Sequence, residues 1–136
     1  MRSLFWTLGL LGIANALWML TGPHGWYEGL PAGIPDTGPF NAHFVRDVGA
    51  AYATFGIALC FAAEQPRLRQ SAAAITALFY GLHALIHVAD LLAGRLDAKH
   101  WLIDTPGVFL PALFLVWLAM PGRYQEAARA TEARRV

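Results

Sequence analysis

The chain alternates between four long apolar runs and shorter segments rich in charge, glycine or proline. Each run is close to the ~20 residues that a transmembrane helix needs. The pattern predicts an all-α fold, a four-transmembrane-helix bundle that forms one integral membrane domain over residues 1–136. Its helices are predicted at about 4–20, 41–63, 71–93 and 105–120. In the first of them, Gly9, Gly12 and Ala16 share roughly one face and favour close approach of another helix.

The segment between the first two helices, residues 21–40, is predicted to be a loop. It contains five glycines and four prolines, a density that argues against regular structure. Trp26 and Tyr27 are nevertheless large apolar side chains within it. A loop of this length is usually functional when it is ordered. We therefore expect an ordered cap that lies at the membrane surface and contributes Trp26 and Tyr27 to a ligand site.

Lysine and arginine are unevenly distributed between the two sides of the predicted bundle. The positive-inside rule places the richer side in the cytoplasm. That side holds seven arginines: Arg2, Arg67, Arg69, Arg123, Arg129, Arg134 and Arg135. The loops on the other side hold only Arg95 and Lys99. The sequence therefore predicts that both termini are cytoplasmic, with an outer loop at 21–40 and a cytoplasmic tail at 121–136.

The composition indicates a membrane protein and argues against several other classes of protein. Hydrophobic residues make up 57% of the chain and charged residues 14%, against about a quarter in soluble domains. A net charge of +1 gives no reason to expect a nucleic-acid partner. Cys60 is the one cysteine, so an intrachain disulfide and a cysteine-based zinc site are both excluded. The lipid bilayer is the expected partner.

Polar residues interrupt the third apolar run at helical spacing. Residues three or four apart on a helix share a face, so four side chains form one polar stripe: Tyr80, His83, His87 and Asp90. The start of the second helix carries His43, Arg46 and Asp47, and Asp104 opens the fourth. With the predicted topology, all of these lie in the outer half of the membrane. Polar side chains there must face protein or water rather than lipid. We expect the second and third helices to turn their polar residues towards each other.

Two kinds of ligand fit this cluster. Imidazole and carboxylate groups suit a transition metal such as Zn, Fe or Cu, and the candidate ligands are His83, His87, Asp90, His43 and Asp47. A haem or a quinone is the other candidate, with further contacts from Tyr80, Arg46, Trp26, Tyr27 and Asp104. The sequence lacks the H-E-x-x-H pattern of zinc proteases. Its two serines lie far from the histidines, which argues against a serine hydrolase.

Two alternatives to a metal-binding or redox protein stay open. The polar cluster could be purely structural in an accessory or assembly subunit of a larger membrane complex, since buried charges are usually paired. The protein could also be a membrane enzyme that acts on a lipid or quinone. Contacts with other membrane subunits or a homo-oligomer are compatible with each alternative, and the sequence names no reaction.

The second helix opens with Arg46-Asp47-Val48-Gly49, followed by Tyr52 and Gly56. This stretch and the four-helix layout resemble the DoxX-like group of small bacterial membrane proteins. The resemblance implies a bacterial inner-membrane location. It also implies a link to quinones, because the best-studied members are connected with quinone-coupled sulfur oxidation. No catalytic residue is carried over, since the His83, His87 and Asp90 stripe matches no pattern of that group.

Overall fold

The computed structural model describes residues 1–124, and these residues fold into helices without any strand. The predicted all-α class is thus confirmed. The part of the predicted tail that comprises residues 125–136 lies outside the described residues. The helices are α1 Arg2–Thr21, α2 Pro23–Gly29, α3 Ala42–Glu64, α4 Arg69–Leu92, α5 His100–Ile103 and α6 Leu110–Ala119. Short 3₁₀ turns occupy Ile34–Thr37 and Pro66–Leu68, and a π turn at Thr105–Phe109 joins α5 to α6.

Four stretches are long and apolar enough to cross a membrane: Arg2–Thr21, Ala42–Glu64, Pro66–Leu92 and His100–Ala119. Large hydrophobic side chains cover their outer surfaces. Leu11, for example, is 64% exposed and Leu102 81% exposed. Soluble proteins rarely expose contiguous apolar surface on this scale. The four helices indicate an integral membrane protein whose outward face contacts lipid.

The loop between α1 and α3 is more regular than the sequence predicted. Pro23 starts the two-turn helix α2, where its missing N–H is not needed. Trp26 and Tyr27 are buried; the Trp26 Nε1–H donates to Asn15 Oδ1 at 3.0 Å, and the Tyr27 hydroxyl donates to the Gly38 carbonyl at 2.6 Å. The absence of regular structure was therefore a wrong prediction, although the segment does form an ordered cap.

The fourth span also begins earlier than the predicted 105–120. It starts at His100, passes through the π turn and continues as α6. Pro106 has no N–H to donate. In the π turn that contains Pro106, the Asp104 carbonyl accepts from the amides of Val108 and Phe109, at 2.7 and 3.2 Å. Asp104 therefore lies within the span, one turn after its start, rather than at its opening.

Helices α1 and α3 pack most closely, along a seam of glycines. A Cβ atom added to Gly9 would lie 2.7 Å from the Gly56 carbonyl oxygen, and one added to Gly56 would lie 2.8 Å from the Gly9 carbonyl oxygen. One added to Gly49 would lie 2.9 Å from the Met19 Cβ. Only glycine allows the two backbones to approach this closely. The expected role of Gly9 in close helix approach is confirmed.

The two ends of the bundle differ in chemistry. The end that carries Met1, called the terminal end, has an apolar core with a polar rim, in which Glu64 accepts from Arg2 at 2.8 Å and from Trp6 at 2.6 Å. Helix α4 packs against both α3 and α6. The opposite end, called the loop end, carries residues 22–41 and 93–99. It contains the polar residues on which a functional site depends.

Replacing Gly56 by Ala tests the seam. The added methyl has no space beside the Gly9 carbonyl, so the free energy of unfolding should fall by about 1–3 kcal/mol. Gly81→Ala is the matched control, because a Cβ atom there meets nothing within 4 Å. The measurement is thermal unfolding in detergent. Equal melting temperatures for the two variants would contradict the close approach of α1 and α3.

The orientation can be tested by cysteine labelling in a Cys60→Ala background. We expect Thr37→Cys, in the exposed part of the cap, to react with an impermeant maleimide in intact bacterial spheroplasts. Arg67→Cys, in the turn between α3 and α4, should react only after permeabilisation. The reverse labelling pattern would show that the termini lie outside.

Candidate functional site

The Asp104 carboxylate is the centre of a buried hydrogen-bond network at the loop end. Its Oδ2 lies 2.7 Å from Nδ1 of His87, and its Oδ1 lies 3.1 Å from Nδ1 of His100. The side chains of Asp104 and His100 are only 1% and 0% exposed. An isolated buried carboxylate is costly, and this one is stabilised by a hydrogen-bond donor at each oxygen.

Local helical geometry brings these groups together. His100 and Asp104 are four residues apart on one continuous helical segment, so their side chains lie on the same face. The Asp104 amide donates to the His100 carbonyl at 3.0 Å, which fixes the turn between them. His87 comes from the neighbouring helix α4 and meets the other oxygen of the carboxylate. The network therefore joins α4 to the start of the fourth span.

The network continues to the surface through the cap. Nε2 of His100 lies 3.0 Å from Oδ2 of Asp36, and the same oxygen lies 2.8 Å from Nζ of Lys99. Gly33 makes the contact between His100 and Asp36 possible. Its φ is +60°, and a Cβ atom there would lie 2.9 Å from Cε1 of His100. A larger residue would be strained and would push the cap away from the histidine.

Charge balance follows from these contacts. Both ring nitrogens of His100 face carboxylate oxygens, those of Asp36 and Asp104, and carboxylates only accept hydrogen bonds. With both carboxylates ionised, His100 donates through both nitrogens, as an imidazolium. Together with Lys99, it balances the two carboxylates, so the cluster is neutral overall. At the surface, the hydrogen bond from Lys99 lowers the pKa of Asp36, and the hydrogen bond to Asp36 raises the pKa of Lys99.

On the membrane side, the network ends in a pair of histidines among aromatic rings. The rings of His83 and His87 meet edge to face, with centroids 4.7 Å apart. His83 is parallel to Phe79 at 6.3 Å, and Tyr80 contacts Tyr52 at 5.6 Å. Within residues 1–124, His83 makes no side-chain hydrogen bond and Nε2 of His87 has no partner. Both histidines thus retain ring nitrogens that a ligand could use.

The predicted site residues are only partly brought together. The structure joins His87 to Asp104 and places His83 beside them, but the expected contact with the polar start of α3 is absent from the described hydrogen bonds. His43 lies 3.5 Å from Asp47, and the two side chains are 89% and 62% exposed. The prediction that these two face the α4 stripe was wrong, because Asp104 takes that position instead.

The remaining predicted residues have local partners. Asp90 accepts from Arg95 at 2.7 Å, Arg46 donates to the Leu20 carbonyl at 3.3 Å, and Trp26 and Tyr27 hold the cap. Among residues 1–124, no group of three or more His, Cys, Asp or Glu side chains is arranged to hold a metal ion. The metal interpretation of His83, His87, Asp90, His43 and Asp47 gains no support.

Sequence reasoning missed His100 and Asp36 as site residues. The four-residue spacing of His100 and Asp104 was a usable signal, because it places both on one helix face. The contact between His100 and Asp36 joins residues 64 positions apart and depends on how the cap folds. No local pattern in the sequence predicts it.

Comparisons of the chain with protein-family models, curated proteins and solved structures find no match. The geometry of the site is therefore the main basis for a functional proposal.

The contacts of Asp36 with Lys99 and His100 should depend on pH. Because folding lowers the pKa of Asp36, its contribution to stability is complete above the ordinary value of 3.8 and is lost as pH falls through the lowered value. A spin label on Thr37→Cys, in the Cys60→Ala background, should stay immobile until that acid range is reached. Electron paramagnetic resonance measures the mobility.

The matched control for this experiment is the same label with Asp36→Asn. It should show no acid transition, since the titrating carboxylate is gone. A transition near pH ~6.5 in the parent protein would instead assign control of the cap to a histidine.

Proposed function

We propose that this protein binds a lipophilic redox ligand of the quinone class beside His83 and His87. The observation that carries the proposal is the pairing of His87 with the buried Asp104, next to His83, which has no side-chain hydrogen bond within residues 1–124. This pair lies in a stretch apolar enough to cross a membrane. Ligands that partition into the bilayer can reach such a position, whereas most polar metabolites cannot.

The hydrogen bonding defines what such a ligand would meet. Asp104 accepts from Nδ1–H of His87, so the Nε2 lone pair of His87 is left to accept a hydrogen bond. The carboxylate also fixes the orientation of the imidazole ring, so that Nε2 keeps a defined direction. His83 supplies a second imidazole that can donate or accept. A quinone carbonyl or a quinol hydroxyl matches these groups.

The surroundings favour a flat, apolar head group. Phe79, Tyr80 and Tyr52 supply aromatic edges and faces next to His83. Aromatic rings stack on other planar rings and exclude water from the hydrogen bonds beside them. The resemblance to DoxX-like proteins agrees with a quinone. It also agrees with a bacterial inner membrane and cytoplasmic termini, in which case the site lies in the outer half.

A haem is a weaker candidate for this site. Two imidazole rings only 4.7 Å apart on one helix cannot ligate one iron from opposite faces. The contact between Nδ1 of His87 and Asp104 leaves Nε2 of His87 available. That nitrogen can accept a hydrogen bond from an organic ligand as well as it can bind a metal.

One observation favours an accessory role beside ligand binding. The side chains of His43 and Asp47 are largely exposed on α3, and Arg46 is also exposed, although this helix is apolar enough to cross a membrane. Charged groups on a membrane helix seek protein or the water interface rather than lipid. Contact with another membrane subunit or a second copy would cover them.

Ligand binding can be measured directly with decylubiquinone and the purified protein in mild detergent. Quenching of tryptophan fluorescence should saturate in the wild type. His83→Ala should weaken binding about tenfold, the loss of about 1.4 kcal/mol expected for one hydrogen bond to a ligand. Since His83 has no hydrogen-bond partner in the described part of the chain, its loss should lower the melting temperature only by what its ring contacts with Phe79 and His87 contribute.

His43→Ala is the matched control, because this histidine is exposed on a different helix. It should bind decylubiquinone like the wild type. No saturable quenching in the wild type, or equal affinities for all three proteins, would overturn the proposal. Elemental analysis of the same samples tests the metal interpretation.

A further inference from the structure

We infer that Asp36, His100, Asp104 and His87 form a proton path between the aqueous surface at the loop end and the ligand beside His83. The inference rests on the proposed ligand site for its inner end. Nothing in the ligand-binding proposal itself requires His100 or Asp36, which lie on the far side of Asp104. Their arrangement calls for a separate explanation.

The four residues form an unbroken chain of hydrogen-bonding contacts. Successive contacts run from Asp36 Oδ2 to His100 Nε2 at 3.0 Å, from His100 Nδ1 to Asp104 Oδ1 at 3.1 Å, and from Asp104 Oδ2 to His87 Nδ1 at 2.7 Å. All three distances fall within hydrogen-bonding range. Each inner group uses one atom towards the surface and another towards the membrane. An imidazole or a carboxyl group arranged in this way can take a proton at one atom and release one from the other.

Burial separates the middle of the path from water. Asp104 and His100 are 1% and 0% exposed, so a proton that reaches Asp104 must pass through its hydrogen-bond partners. Asp36 at the outer end is 43% exposed and can exchange protons with water. At the inner end, Nε2 of His87 has no partner among the described residues. The gradient from exposed to buried groups gives the path two distinct ends.

The charged groups around the path are accounted for. Lys99, just before the fourth span, contacts Asp36 and keeps the outer carboxylate ionised. Asp90 and Arg95 pair with each other at 2.7 Å. His83 lies beside His87 at the inner end. No other ion pair among residues 1–124 contacts the four path residues.

The transfer is an acid–base step that moves no electrons. A ligand hydroxyl gives its proton to Nε2 of His87, and the Nδ1 proton of His87 passes to Asp104. His100 gives its Nε2 proton to Asp36 and thence to water. Rotation of the His100 ring then turns its bare nitrogen towards Asp104, and the proton on Asp104 restores the imidazolium. One O–H bond breaks at the ligand and one proton reaches water, so the count balances. Rotation of the His87 ring then returns an N–H to Asp104 and a bare nitrogen to the ligand, and the reverse sequence delivers protons inwards.

Imidazole proton exchange tests the path. In ¹⁵N-histidine-labelled protein in lipid nanodiscs, saturation transfer from water measures how fast the His87 ring N–H exchanges. Asp36→Asn removes the outer acceptor but leaves the contact between His87 and Asp104 in place. The exchange at His87 should slow about tenfold or more, as expected when a positioned acid–base group is lost.

The direction of the change in the exchange rate at His87 shows whether Asp36 acts in a proton path or only in the structure of the cap. If Asp36 only held the cap in place, its loss would admit water and speed up exchange at His87. Lys99→Gln is the matched control: it also removes an ion pair with Asp36 but leaves the path intact, so exchange should not slow. Unchanged or faster exchange in Asp36→Asn would overturn the inference.

Decylubiquinone binding distinguishes the proposed ligand site from the proposed proton path. Asp36→Asn should bind it like the wild type, because Asp36 lies at the outer end of the path. Normal binding with unchanged exchange would reject the path alone. Absence of binding in the wild type would reject the ligand site, and the exchange result would then still decide whether water and His87 are connected.

Discussion

The buried charge of Asp104 is the constraint on which the loop end depends. Removing a carboxylate from water costs several kcal/mol unless hydrogen bonds and opposite charge replace the water. Here His87 and His100 occupy one oxygen each. Satisfying this one group fixes the position of α4 against the fourth span. His100 in turn requires an acceptor for its second nitrogen, and Asp36 provides it from the cap.

The tight seam between α1 and α3 takes no part in this network. Glycines at Gly9, Gly49 and Gly56 let the two helices form a closely packed pair. The Arg2 and Glu64 side chains tie that pair together at the terminal end. The polar chemistry is then left to the other half of the bundle. The close packing of α1 against α3 and the hydrogen-bond network around Asp104 thus involve different helices.

The sequence predicted the spans well because membrane helices carry a strong, local signal. It also placed His87 and Asp104 in the same half of the membrane, since depth follows from residue count at 1.5 Å per residue. It chose the wrong partner for the α4 stripe, because equal depth does not determine which face of a helix meets its neighbour. His43 and Asp47 have a suitable depth but point outwards. The contact between Asp36 and His100 is tertiary, and a count of glycines and prolines could not predict it.

The contrast between Asp47 and Asp104 shows how position decides the role of the same side chain. Asp47 is five residues beyond the start of α3, roughly 8 Å along the helix, and is 62% exposed. At that depth, its carboxylate can reach the headgroup region or a neighbouring chain. Asp104 lies at a similar distance from the start of its span but is enclosed on all sides. Water and lipid headgroups can compensate the charge of Asp47, whereas only the protein can compensate that of Asp104. Of these two carboxylates, only Asp104 therefore depends on hydrogen-bond donors supplied by the protein.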